Sequence, residues 1–312
     1  MKKKNLLIIG GTGFFGKSII EYLNKNLSLK KKINNIIVIS KNKKKIINKN
    51  ISKNLEITYL KKNITNIKKI PYADYVLYCA VQKNYKDDHK ALKNYFKLAK
   101  KYHRESKILY MSSGAVYGQQ SKGLKNFKEN YLLKNKRIDF KNKHRNEYAV
   151  CKIKNENIFK KLGKLGIRVS VARCFAFVGK FLPRKSNYII GNFIQNILDR
   201  QPIKIKADYE IVRSYMHTND LVEWLLKIVS NSKITCPIYN VGSNYSINMR
   251  TVGLYLAKKN KLSTKFSKIK SNLIDAYVPS INKAKKELKL KLKYTSLEAI
   301  DDTINSLKNR IN

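Results

Sequence analysis

An α/β fold built on a doubly wound parallel sheet is the architecture this sequence predicts, on three observations. A short apolar run, Leu6-Leu7-Ile8-Ile9, stands at the N-terminus. It leads directly into Gly10-Gly11-Thr12-Gly13-Phe14-Phe15-Gly16, after which Ser18, Ile19, Ile20 and Tyr22 continue at helical period. Further apolar runs then alternate with helical stretches. Such alternation makes a parallel sheet covered on both faces, and a short unbroken apolar run suits a strand buried on both sides. Gly11, Gly13 and Gly16 fit G-x-G-x-x-G, and Gly10, Gly13 and Gly16 fit G-x-x-G-x-x-G. Between a strand and a helix, either spacing marks a dinucleotide turn. Glycines let backbone N–H groups approach a pyrophosphate, and the helix N-terminus adds partial positive charge. The predicted sheet is therefore of the Rossmann type.

The elements follow in order. Ile36-Ile37-Val38-Ile39 reads as the second strand. It ends in Ser40-Lys41-Asn42-Lys43-Lys44-Lys45, with no Asp or Glu to hold a ribose 2′-hydroxyl. Ser40 and Lys41 suit a 2′-phosphate instead, which favours NADP and leaves NAD as the alternative. Leu55–Leu60 is a third strand, followed by Asn63-Ile64. Asp74–Ala80 is a fourth, and small Ala80 leaves room for a cofactor at its carboxyl end. Apolar residues at Ala91, Leu92, Tyr95, Leu98 and Ala99 make Asp87–His103 helical. Lys107–Met111 is the fifth strand, and Ser112-Ser113-Gly114-Ala115-Val116-Tyr117-Gly118 follows at its carboxyl end, where open α/β sheets bind ligands. Tyr148 and Lys152 stand four apart and share a helix face. From Pro183 onward we expect a smaller α+β substrate domain. Its helices are Tyr188–Leu198, Ala284–Leu288 and Leu297–Leu307. The dinucleotide domain is expected over 1–180, completed by about 212–245, with 181–312 mainly binding substrate.

Composition narrows the function classes. The chain has 312 residues, of which 43% are hydrophobic, enough for a sizeable core. No apolar window approaches membrane-helix length, and the apolar run after MKKK is too short for a signal peptide. A cytoplasmic protein without membrane contact is expected. Cys79, Cys151, Cys174 and Cys236 are scattered without metal spacing, so no metal site is expected. The net charge of +47 comes from lysines spread along the whole chain, in company with abundant Ile and Asn. That is the signature of A/T-rich codons, and no specific nucleic-acid site is expected from it. The charge still draws anionic nucleotides toward the protein.

Together the glycine turn, the Ser-Ser-Gly segment and the Tyr148/Lys152 pair resemble the extended short-chain dehydrogenase/reductases, in the NAD-dependent epimerase/dehydratase family acting on nucleotide sugars. Arg173-Cys174-Phe175-Ala176-Phe177-Val178-Gly179 resembles its Arg-x-x-Asn-x-x-Gly segment. Arg213–Leu221 resembles the segment whose arginine holds the sugar-nucleotide diphosphate, and Tyr239-Asn240-Val241-Gly242 the next strand-end signature. The likeness covers nearly the whole chain. It implies that Gly10, Gly11, Thr12, Gly13, Phe14, Phe15, Gly16, Ser40, Lys41, Asn63, Ile64, Ala80, Tyr148 and Lys152 hold the cofactor. It implies Ser113, Tyr148 and Lys152 as catalytic residues, with Ser113, Gly114, Tyr148 and Arg213 on the substrate. Tyr148 would be the acid–base at sugar C4, Lys152 would favour its phenolate and hold the cofactor ribose, and Ser113 would bind the reacting oxygen. His217 is expected to serve the fold.

Some positions depart from the family pattern. Ala176 stands where Asn is usual, and Asn63 where an acid is common. Gly114-Ala115 replace the Asp-Glu pair of the 4,6-dehydratases. That replacement disfavours dehydration and leaves a 4-epimerase or 4-ketoreductase, with a dehydratase or a non-catalytic dinucleotide-binding scaffold or sensor as alternatives. The separation 148 − 113 = 35 residues points to an added loop around Lys122–Asn142 at the substrate mouth. Relatives pair two helices per subunit, so a homodimer through Asp87–His103 and Glu147–Leu162 is expected.

Overall fold

The computed structural model describes residues 3–41, 55–82, 84–120, 126–131, 143–184 and 188–309. Its strands are β1 (Lys4–Ile9), β2 (Ile33–Ser40), β3 (Ile57–Lys61), β4 (Tyr75–Tyr78), β5 (Lys107–Ser113), β6 (Arg168–Cys174), β7 (Phe177–Val178), β8 (Ile203–Ile205), β9 (Glu210–Ser214), β10 (Met216–His217), β11 (Ile238–Val241), β12 (Ser246–Asn248), β13 (Thr264–Phe266) and β14 (Ile274–Tyr277). Its helices are α1 (Phe14–Lys25), α2 (Leu27–Lys30), α3 (Tyr85–Tyr102), α4 (Lys143–Lys164), α5 (Ile189–Leu198), α6 (Thr218–Ser230), α7 (Met249–Asn260), α8 (Asn282–Leu288) and α9 (Ser296–Lys308).

The chain divides into two compact units. One holds Met1–Gly118, Asn135–Cys174 and Val222–Tyr239, and the other holds the remainder.

The first unit is built on a seven-stranded sheet in the order β11-β6-β5-β4-β1-β2-β3. β1 runs parallel to both β2 and β4, β2 to β3, β4 to β5, and β5 to β6. Leu6, Leu7, Ile8 and Ile9 are all fully buried, as a central strand covered on both faces requires. Leu7 and Ile9 join a cluster with Tyr78, Tyr95, Tyr110 and Phe159, which brings in α3 and α4. Side chains alternate along a strand, so Leu6 and Ile8 face the other side. There Tyr22 of α1 donates a hydrogen bond to Glu223 of α6.

Several strand ends differ from expectation: β2 begins at Ile33, β3 covers Ile57–Lys61, and β4 ends at Tyr78 rather than Ala80. Asp74 lies outside β4, because its carboxylate accepts from Lys4 Nζ and Asn5 N, each at 2.9 Å, and so ties down the start of β1. β5 runs past Met111 to Ser113, because Ser112 and Ser113 still find ladder partners in Arg173 and Cys174. Both serines therefore sit on a rigid element.

The second unit holds small sheets, β12-β9-β14, β13-β8 and β10-β7, together with α5, α7, α8 and α9. Most of the proposed loop at Lys122–Asn142 lies outside the described residues. Within it, Phe127 bridges Pro279, and Glu129 accepts from Asn240 N at 2.9 Å.

Phe159 is fully buried on α4 and stacks on Tyr110 with ring centroids 4.5 Å apart. Phe159→Ala should cost ~3–5 kcal/mol in urea unfolding of the intact protein, the usual cost of an aromatic-sized cavity. A loss below ~1 kcal/mol would show that this cluster does not hold α4 to the sheet.

Candidate functional site

The glycine turn comes first, because its backbone demands explain its sequence. Gly10 has φ +85°, a region that side chains avoid, and a Cβ there would lie 2.6 Å from the Ala80 backbone. A Cβ on Gly16 would lie 2.2 Å from the Gly11 carbonyl oxygen, so this glycine seats α1 on the turn. Gly13 differs. It is the N-cap of α1, and a Cβ would meet nothing nearer than Gly10 O at 3.6 Å. The start of α1 thus faces open space without a capping side chain.

That space is a cavity of about 270 Å³. It brings together Gly10, Thr12, Gly13, Ser40, Lys41, Asn63, Ile64 and Ala80, all named from sequence. Cys79, Val81 and Gln82 also line it, and the sequence reading stopped at Ala80. Gln82 matters because Lys41 Nζ donates to its Oε1 at 3.0 Å, while Thr12 and Ser40 share a hydroxyl hydrogen bond of 2.8 Å. Asn63 Oδ1 accepts from Thr65 N at 3.1 Å, and Ile64 is buried. Asn42–Lys45 lie outside the described residues. The uncapped helix start and the glycine cradle fit a dinucleotide pyrophosphate. Phe14 and Phe15 open α1 and pack edge to face with centroids 5.5 Å apart.

The second cluster lies along α4. Lys152 is 1% exposed, unusual for a lysine. Its ammonium donates to Tyr110 Oη at 3.2 Å and lies 5.6 Å from the Tyr148 ring centroid. Burial opposes its charge, but Tyr110, Tyr148 and Asp88 outweigh burial and raise its pKa, so Lys152 is an ammonium at neutral pH. Burial pushes the Tyr110 phenol up, against the opposing pull of Lys152. Tyr148 is half-buried beside Tyr85. Ser113, at the end of β5, accepts a hydrogen bond from Ala115 N at 3.1 Å, which caps the 3₁₀ turn Gly114–Tyr117.

One turn beyond Lys152 stands Glu156, which the sequence reading did not single out. Its carboxylate accepts from Arg173 Nε at 3.0 Å, Arg173 Nη2 at 2.8 Å and Ser112 Oγ at 2.6 Å. Arg173 Nη1 also donates to Tyr117 Oη at 2.9 Å. The spacing 148, 152, 156 was the available signal, since each step of four keeps a helix face.

In the second unit, Arg213 Nη2 donates to Asp275 Oδ2 at 2.8 Å and Nη1 to Val212 O at 2.9 Å. This guanidinium already holds a carboxylate, a partner not foreseen from sequence. His217 Nδ1 accepts from Asn219 N at 3.2 Å, and Nε2 lies 3.0 Å from Asp302 Oδ2.

The sequence model of the NAD dependent epimerase/dehydratase family matches residues 6–242. The chain belongs to this family. Among solved structures it is similar to a UDP-N-acetylglucosamine 4-epimerase from Methanobrevibacter ruminantium in complex with UDP-N-acetylmuramic acid. That match has 19% identity and a TM-score of 0.79, over 99% of this chain and 100% of the other. It is also similar to a dTDP-glucose 4,6-dehydratase from Bacillus anthracis in complex with NAD, with 19% identity and a TM-score of 0.77, over 98% and 96%. A UDP-glucuronic acid decarboxylase 1 from Arabidopsis thaliana is 24% identical over 149 residues, which are 47% of this chain and 34% of that protein. The match thus spans about a third of that relative. These likenesses bear out the Rossmann-type fold and the family resemblance. Among the described residues no helix is long and apolar enough to cross a membrane.

Gly10 and Gly13 separate two roles of the turn. Gly10→Ala should be destabilised by at least the ~1–2 kcal/mol of a left-handed residue, because it also overlaps Ala80. Gly13→Ala should fold as the wild type does and lose dinucleotide affinity in fluorescence titrations with NADH and NADPH. Wild-type affinity in Gly13→Ala would mean that no dinucleotide is held at this turn.

Proposed function

We propose that this protein is an NAD(P)-dependent enzyme that moves a hydride at C4 of a nucleotide sugar, as a 4-epimerase or a 4-ketoreductase. The observation that carries the reading is the buried Lys152 ammonium beside the half-buried Tyr148, on the same unit as the glycine cradle. The bound nicotinamide would supply the hydride acceptor and donor. Tyr148 Oη takes the proton of the sugar C4 hydroxyl on oxidation and returns it on reduction. Lys152, an ammonium 5.6 Å from the Tyr148 ring centroid, turns toward the cofactor ribose. Ser113 Oγ, held at the strand end, donates to the reacting oxygen. Gly114 leaves room for the sugar. Arg213 binds the diphosphate in a bidentate fork by giving up Asp275 for it.

Dehydration is the less favoured reading. It needs an acid and a base beside the sugar, and the turn Gly114–Tyr117 carries no carboxylate. In the cofactor pocket the preference goes to NADP, since Lys41 and Ser40 offer a cation and a hydroxyl to a 2′-phosphate and no carboxylate opposes it.

The deciding experiment supplies NADPH or NADH with a panel of 4-keto and 4-hydroxy nucleotide sugars, following nicotinamide absorbance and product identity. Tyr148→Phe should keep fold and cofactor affinity and lose ~10²–10⁴-fold in turnover. Lys152→Met should lose cofactor affinity together with turnover. Ser113→Ala should lose less turnover than the tyrosine variant, with cofactor affinity retained. Wild-type turnover in Tyr148→Phe would leave the chain a dinucleotide-binding scaffold with its chemistry elsewhere.

Lys41→Asp should shift preference from NADPH toward NADH, measured as the ratio of the two dissociation constants. Equal wild-type affinity for the two cofactors would refute the 2′-phosphate reading.

A further inference from the structure

Lys41 directly follows β2 and Gln82 lies four residues past β4, with β1 between those two strands in the sheet. The hydrogen bond from Lys41 Nζ to Gln82 Oε1, at 3.0 Å, therefore crosses the carboxyl end of β1, where the glycine turn begins. Both residues line the cavity at that turn. They are anchored unequally. Gln82 N donates to buried Asp88 Oδ1 at 3.0 Å, and Asp88 Oδ2 accepts from Asn155 Nδ2 at 3.0 Å, so the Gln82 backbone is tied to α3 and α4. Lys41 is exposed, on a flexible stem that turns freely unless its ammonium is held. Among the described residues that ammonium is held by Gln82 and by no carboxylate. A lysine only donates, so the Gln82 amide presents its oxygen to it. Gln82 is the fixed post and Lys41 the part that moves.

We propose, on the reading of Lys41 as the cation for a 2′-phosphate, that Gln82 is a specificity-determining residue acting through Lys41. It sets how strongly the pocket prefers NADPH. NADPH must draw the ammonium off Gln82 to engage it, whereas NADH carries a 2′-hydroxyl and leaves the bond standing. The hold therefore weakens one cofactor and not the other, by the fraction of molecules in which Lys41 is released. An amide oxygen suits that part. In a solvent-facing position its bond to an ammonium is worth a modest net free energy, and a phosphate offers that ammonium a stronger, charge-assisted partner. A carboxylate in place of the amide would add its charge to the hold and would oppose the phosphate as well. An apolar side chain would release Lys41 altogether. One side chain thus moves the cofactor ratio in either direction, with the glycine turn and Lys41 unchanged.

The test is a double-mutant cycle on the full chain, read as the ratio of the NADPH and NADH dissociation constants in fluorescence titrations. Gln82→Leu should raise the preference for NADPH roughly two- to tenfold, the worth of one hydrogen bond, and leave NADH affinity nearly unchanged. Gln82→Glu should lower the preference roughly tenfold or more. In the Lys41→Met background, Gln82→Leu should leave the ratio where Lys41→Met alone puts it. The bond to Asp88 comes from the Gln82 backbone, so each variant should melt with the wild type. Lys41→Met alone tests the reading beneath. If it leaves the ratio unchanged, Lys41 holds no 2′-phosphate, and both that reading and the role of Gln82 fall. If it abolishes the preference while Gln82→Leu keeps the wild-type ratio, the reading of Lys41 stands and the role of Gln82 alone is overturned. An equal shift by Gln82→Leu with and without Lys41 would also overturn it, since Gln82 would then touch the cofactor directly.

Discussion

The ion pair between Glu156 and Arg173 fixes the candidate site. Both side chains are nearly inaccessible, at 2% and 3% exposure, and each would be costly to bury alone. The geometry offsets that cost. Glu156 accepts three hydrogen bonds, two from Arg173 and one from Ser112, and Arg173 spends its remaining reach on Tyr117. Burial works against the Arg173 charge, yet Glu156 and Tyr117 outweigh it and raise its pKa further. Arg173 therefore stays charged. One member stands on α4 and the other on β6, and their partners stand at the end of β5 and in the turn beyond it. Three elements meet at one carboxylate. The chain positions of Ser113, Tyr148 and Lys152 are each within a turn or two of a residue in that network.

A second network links the same helix to the cavity at the glycine turn. Asp88 of α3 is buried and accepts from Gln82 N and from Asn155 Nδ2, each at 3.0 Å. Gln82 lines the cavity at the glycine turn, and Asn155 lies one turn from Lys152. The cavity wall and α4 thus share a carboxylate. Such fully satisfied buried polar contacts favour one arrangement, because leaving either partner unpaired inside the protein is costly.

Backbone-dictated features were the legible part of this sequence. Gly10 and Gly16 answer to close approaches that only glycine allows, so their spacing announces the turn without knowledge of the fold. The apolar runs placed the central strands for a similar reason, since a fully buried strand has no use for polar alternation. Tyr148 and Lys152 were legible because helical period joins them. Pairings between distant segments were not. Arg213 meets Asp275 through adjacent strands β9 and β14, 62 residues apart, and no local pattern announces it. Asp74 looked like part of a strand because it adjoins one, while its carboxylate serves β1.

The cations assigned to ligands share one property that bulk charge would not suggest. Each already has a protein partner. Lys152 rests on Tyr110, Lys41 on Gln82, and Arg213 on Asp275. Under the proposed function, binding at these positions is an exchange of one hydrogen-bond partner for another, so the net gain per contact is modest even where the new partner is a phosphate. The net charge of +47 raises the local concentration of any nucleotide and cannot by itself choose among them. Choice falls to the groups whose exchange is geometrically matched, a planar guanidinium against two phosphate oxygens or a buried ammonium against a ribose diol. On this view the protein's lysine excess governs encounter, and its few cations already engaged by protein partners govern selection.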